Sequence, residues 1–242
     1  MINSHHTDIL RLIKDNSGKG TSHTFLNSYL GNEHPRYAIT APVLRKIAKE
    51  WMRDHQDLDV SDFAELLTSL IQGESSTEKW IAGMLMDYAT KPQRKFDPAV
   101  FDRWLDHLEG WAEVDAVCTG DYTKTQVPLQ IDQWKKLLVK FSKDKNINKR
   151  RASLVLLCAP VRYSDHEKLV EIALKNIDRL KSEKEGLITK AISWLLRSLI
   201  KLHRPALVRY LKENKESLPG IAVRETMVKL KTGTKTKRTP KG

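Results

Sequence analysis

Apolar residues recur at three- and four-residue intervals along nearly all of this 242-residue chain, broken only by short turn signals. That rhythm is helical, and it leaves little room for anything else. Eleven Gly and nine Pro are few for the length, and they fall mostly between periodic stretches. An all-β fold is excluded. The pattern predicts helices over residues 7–14, 24–30, 60–70, 76–89, 98–108, 111–118, 131–140, 149–161, 165–179, 184–202, 205–214 and 221–230. A further helix starts at Thr40-Ala41-Pro42-Val43, a Thr cap with Pro in the first turn, and buries Leu44, Ile47 and Trp51.

The helices echo one another. A cation followed closely by Ala and an apolar run recurs at Lys79-Trp80-Ile81-Ala82, Arg150-Arg151-Ala152 and Lys190-Ala191, with a fainter copy at Arg224. Arg151 and Lys190 stand one step of 39 residues apart. Helix-pair repeats of the HEAT and armadillo type run at roughly 40–47 residues. Each such pair buries its apolar stripe only by stacking on its neighbours. The reading is an all-α solenoid of degenerate HEAT-like repeats over residues 1–230 as a single domain; an irregular helical bundle is the alternative that the period argues against.

Charge adds a second constraint. Lys and Arg number 42 against 30 Asp and Glu, a formal net charge of +12. Five of those cations lie in residues 231–242, which contain no acid and alternate Lys with Thr and Gly. Such a segment has nothing to bury and is expected to be disordered, either a solubilising end or a loose grip on phosphates. The remaining +7 belongs to the body, and basic folded proteins commonly have polyanionic partners. No apolar run approaches the roughly 18 residues of a membrane span. The opening Met1-Ile2-Asn3-Ser4-His5-His6 is not a signal peptide, and Cys118 and Cys158 match no metal or redox spacing. The expectation is a cytoplasmic, nucleoid-associated monomer with buried, reduced thiols. The eight His are scattered and no Gly-rich phosphate loop occurs. Cofactor independence is the default reading.

Three places could carry chemistry. On the helix over 184–202, Ile188, Ala191, Ile192, Leu195 and Leu199 share one face, at about 100° per residue. Lys190, Trp194, Arg197 and Lys201 fall on the other side. Cations with an aromatic suit a sugar–phosphate backbone, though a Trp shielded by the next repeat is equally consistent. Next, Asn148 is a plausible cap, followed by Lys149, Arg150 and Arg151 in a first turn. Cations there oppose the helix dipole by about 0.3–1 kcal/mol each. The arrangement suggests an anion dock unless neighbouring acids satisfy them. Third, Trp111 and Asp115 lie one helical turn apart on a common face, the acid set among Val114, Ala116, Val117 and Cys118. A carboxylate there must be paired or functional.

Together these residues resemble the AlkD-like DNA alkylation repair glycosylases, a HEAT-like-repeat family. The likeness runs from about residue 25 to 230. It is carried by Tyr37-Ala38-Ile39-Thr40-Ala41-Pro42-Val43-Leu44-Arg45-Lys46, Trp111 through Val117, Arg151-Ala152, and Lys190-Ala191-Ile192-Ser193-Trp194-Leu195-Leu196-Arg197. The resemblance implies that Asp115 is the catalytic carboxylate, that Trp111 and Trp194 are the active-site tryptophans, and that Arg151 is the active-site arginine. Tyr29, Arg45, Arg150, Lys190, Arg197 and Lys201 are the expected DNA contacts, on a concave basic groove. The chain departs from the pattern at Gly110 and Asn148, where family members often carry an aromatic, and by one inserted residue between Asp115 and Arg151.

The implied reaction is hydrolysis of the N-glycosidic bond of N3- or N7-alkylated purines in duplex DNA. Such a base carries a positive charge and leaves as a neutral molecule, so no second carboxylate at glycosidase spacing is required. Nothing singles out a lysine for a lyase step, so a monofunctional enzyme is expected. Two other classes stand beside it: a non-catalytic binder of branched or damaged DNA, and a protein-interaction solenoid with scattered cations.

Overall fold

The structure, a computed structural model, describes residues 3–18 and 31–235. The helix expected over 24–30, and Tyr29 with it, lies outside the described residues. The chain forms two compact units, Met1–Tyr122 and Thr123–Gly242. Both are helical, and among the described residues the nearest thing to a strand is an isolated bridge between Gly18 and Ala38.

In the first unit, α1 (Ser4–Asp15) opens on Asn3, whose side chain accepts the His5 N–H. α2 (Ala41–Asp54) has Pro42 in its first turn; the Thr40 side chain makes no capping bond. α3 (Val60–Ile71) is capped by Asp59. α4 (Ser76–Tyr88) begins with a full capping box, Ser75 and Glu78 each satisfying the other's backbone N–H. α5 (Val100–Trp104) tightens into a 3₁₀ turn at Leu105–His107, so the helix expected over 98–108 is in two pieces. α6 (Gly110–Cys118) follows. α4 is the hub, packing on α2, α3 and α6, while α1 packs on α2 and α3. Phe63, Leu66, Leu67, Ile81, Leu85, Phe101 and Trp104 close the core between them.

α7 (Asp121–Leu129) was not legible in the sequence. Its Thr-Lys-Thr-Gln middle is polar and Pro128 interrupts the donor pattern. Pro128 sits one residue from the helix end, so the backbone bond it cannot donate is confined to the last turn.

The second unit contains α8 (Ile131–Phe141), α9 (Ile147–Val155), α10 (Pro160–Tyr163), α11 (Glu167–Leu180), α12 (Gly186–Leu199), α13 (Arg204–Asn214) and α14 (Gly220–Thr232). α12 is its centre, touching α9, α10, α11, α13 and α14; α9 pairs with α8 and α11. Arg151 and Lys190, the 39-residue step read from the sequence, lie on α9 and α12, which pack directly together. Ile188, Ala191, Ile192, Leu195 and Leu199 are all fully buried, as their common face predicts. Each Ile or Leu so buried contributes roughly 1.5–3 kcal/mol.

Several boundaries differ from the sequence reading. The helix expected over 184–202 runs Gly186–Leu199, so Lys201 lies past its end. The cap of α9 is Asn146, not Asn148: the Asn146 side chain accepts the Asn148 N–H at 2.9 Å. Lys149 is therefore the third helical residue, still in the first turn, while Arg150 and Arg151 lie beyond it. The helix expected over 149–161 also stops at Val155 and restarts at Pro160, which has no N–H to continue the ladder. At the far end α14 runs to Thr232 and closes on Gly233, left-handed at φ 76°, whose N–H returns to Lys229 O.

Candidate functional site

α6 presents two kinds of acid. Trp111 and Asp115 lie one turn apart and are half-buried, alongside fully buried Val114 and Val117. Asp115 is therefore not sealed behind aliphatic side chains. Its carbonyl accepts both the N–H (3.0 Å) and the hydroxyl (2.7 Å) of Thr119, which closes the helix beneath it.

Glu113, on the opposite side, is completely buried, and the sequence reading passed over it. Its carboxylate accepts the Glu109 N–H at 2.8 Å, the Ser76 hydroxyl at 2.5 Å, the Asn32 amide at 3.2 Å and the His34 Nδ1–H at 2.9 Å. The Glu109 bond returns from the fourth helical residue to the N-cap backbone, and an acid in the opening of the helix was the available sequence signal. The other bonds tie the start of α6 to the start of α4 and to the segment before α2. A second buried acid does the same for α4. Glu78 accepts from His6 Nε2 at 2.8 Å, while the other nitrogen of that ring meets Ser69 Oγ at 2.7 Å. Burial pushes the Glu78 carboxyl up, but the bonds from His6 and Ser75 outweigh it and hold it below the ordinary carboxylate range.

Two glycines set this geometry. Gly110 is buried with φ 65°, a backbone region that disfavours the aromatic side chain common in the resembling family. Gly83 on α4 lets α6 approach so closely that a Cβ there would sit 2.0 Å from the Ala116 carbonyl oxygen. The start, depth and roll of α6 are thus fixed by Gly110, Gly83 and Glu113. Arg45, on α2, is exposed.

In the second unit the expected cations divide. Arg150 is committed to the protein: its guanidinium grips Glu183 through two nitrogens (2.8 and 3.2 Å) and donates to the carbonyls of Asp144 and Lys145. Arg151 is only 4% exposed and donates to Leu187 O, at the first turn of α12, at 2.5 Å. Arg197 is ion-paired with Glu225 of α14, with the Ser193 hydroxyl in the same cluster. Burial lowers the Arg197 pKa, partly offset by Glu225. Burial would raise Glu225, but Ser193 and Arg197 hold it down. Lys190 and Lys201 are exposed and Trp194 is half-buried. Lys201 extends over the Tyr163 ring, its ammonium 4.4 Å from the centroid.

Among the described residues no cluster of three or more His, Cys, Asp or Glu could hold a metal, and no helix is long and apolar enough to cross a membrane. Cys118 and Cys158 are both buried.

The fold and these residues define an all-α protein that offers a tryptophan–carboxylate pair on α6 and a cationic, aromatic stripe on α12. The chain belongs to the DNA alkylation repair enzyme family, whose signature matches residues 12–230. In fold it is similar to a solved structure described as a predicted DNA alkylation repair enzyme from Enterococcus faecalis. That protein is 18% identical, with a TM-score of 0.70 over 89% of this chain and 98% of its own. A comparison with curated proteins gave no match.

Proposed function

We propose that the chain is a monofunctional DNA glycosylase that releases N3- or N7-alkylated purines from duplex DNA, with residues 1–230 serving one substrate as a monomer and 231–242 adding a basic extension. The observation that carries this reading is the half-buried Trp111–Asp115 pair on a helix anchored at its start by a separate, wholly buried acid, in a chain of this family.

Bond cleavage leaves positive charge on the deoxyribose while the cationic base departs neutral. Asp115 stabilises that charge and orients the water that attacks C1′. A carboxylate held at partial burial does this better than one in bulk water, because its field is less screened. The electron-rich faces of Trp111 and Trp194 strengthen their hold on the sugar as the charge develops, which is transition-state rather than ground-state binding. Arg151, enclosed and fixed against α12, supplies a positive field for the flanking phosphate. Lys190, Lys201 and Arg45 contribute direct phosphate contacts; Arg150 and Arg197, held by Glu183 and Glu225, act chiefly by ordering the helices that carry the others.

The test is incubation with duplex DNA containing 7-methylguanine, measuring free base. Wild type should release it, and Asp115→Asn should lower the single-turnover rate by about 10²-fold or more, the scale of a lost electrostatic stabiliser. Release undiminished in Asp115→Asn, or absent from wild type, would overturn the proposal.

A further inference from the structure

Tyr163, at the end of α10, is 51% exposed and is surrounded by three cations from three different segments. Lys201 Nζ lies 4.4 Å from the ring centroid, Lys124 Nζ 5.2 Å and the Arg162 guanidinium carbon 5.7 Å. A single exposed ring does not offset the mutual repulsion of Arg162 and Lys201. Each cation–ring contact at an exposed site is weak. Arg162 and Lys201 form no ion pair with a described residue. The same positive field reaches Lys229 on α14, whose pKa is lowered by burial and then by Arg162 and Arg197. Converging cations around an exposed aromatic, all within the second unit, are complementary to a polyanion that has sugar rings for the aromatic to lie against.

The position of the patch identifies the anion further. Lys201 lies in the turn just past the end of α12, seven residues beyond Trp194. At about 1.5 Å per residue that is roughly 10 Å, or about three nucleotides along one strand at ~3.4 Å each.

We propose that Tyr163, Arg162, Lys201 and Lys124 form a backbone-gripping platform for duplex DNA about three nucleotides to one side of the nucleotide held at Trp194. The platform rests on the DNA-binding part of the proposed function. Its cations neutralise consecutive phosphates, and the Tyr163 ring packs on the intervening deoxyribose with its hydroxyl free to donate to a phosphate oxygen.

The experiment is equilibrium binding of the full chain to an unmodified duplex over a series of salt concentrations, with excision of 7-methylguanine measured separately. Arg162→Gln combined with Lys201→Gln should flatten the slope of log K against log salt by about 1.8, at 0.9 per lost phosphate contact. Tyr163→Ala should weaken binding about three- to tenfold with little change of slope, since it removes packing rather than charge. Lys136→Gln, on an exposed face of α8, serves as the control for a general loss of charge. The platform is refuted if the double variant keeps the wild-type slope, if Lys136→Gln flattens it as much as either platform cation, or if wild type binds no duplex even at low salt. Normal binding by wild type without base release would count against the glycosylase reading and leave the platform standing.

Discussion

Replacing Glu113 by Ala tests whether one buried acid holds the candidate catalytic helix in place. The carboxylate is 0% exposed and accepts from four donors: the Glu109 N–H, the Ser76 hydroxyl, the Asn32 amide and the His34 ring. Alanine removes the acceptor without removing the donors. Each donor left buried and unsatisfied costs about 1–3 kcal/mol. His34 is partly exposed and Glu109 lies at a helix start, so water can reach some of them. Counting two donors as fully stranded gives a loss of about 2–6 kcal/mol. For a chain of this length each kcal/mol shifts Tm by about 2–4 °C, so a fall of roughly 5–20 °C is expected. Differential scanning calorimetry measures it directly. Glu113→Gln, which keeps the shape and one acceptor oxygen, should fall between alanine and wild type. A Glu113→Ala protein melting within 2 °C of wild type would show that the network contributes no net stability and that α6 is held by packing alone.

The remaining predictions concern acid stability and helix approach. Glu78 has a depressed pKa in the folded state, so the stability it contributes is present above the ordinary carboxylate value of 4.5 and is lost as pH falls below it. The Tm advantage of wild type over Glu78→Gln should shrink steadily below about pH 4.5; a difference independent of pH would refute the linkage. Asp87, raised by burial despite backbone bonds from Tyr122 and Asp121, has the opposite sign and is common to both proteins, so it cancels in that comparison. Gly83→Ala should destabilise by about 1–3 kcal/mol, because its methyl group meets backbone, the Ala116 carbonyl, and α4 and α6 must separate. Thermal melting with no loss of stability would show that the helices can part without penalty.

Periodicity alone placed most of the helices and the buried face of α12. It also put Trp111 with Asp115, and Lys190 with Trp194 and Arg197. These are relations within one helix, and 3.6 residues per turn fixes them before any tertiary contact exists. Lys201, expected on the same helix as Lys190, falls past its end. Where local signals conflicted, the sequence was ambiguous. Asn146 and Asn148 are both good caps, and Pro128 with its polar neighbours concealed α7.

Other features depend on partners distant in the chain. Glu113 is read by Asn32, His34 and Ser76, Arg150 by Glu183, and Arg197 by Glu225, across separations of 28 to 81 residues. No local pattern distinguishes an arginine that reaches for phosphate from one closed on a carboxylate, because the difference lies in which neighbour the folded chain delivers. Tyr163 and its three cations likewise come together only when α7, α10 and the end of α12 are in place. The sequence determined which faces the helices turn outward; tertiary packing decided which charges on those faces were already spoken for.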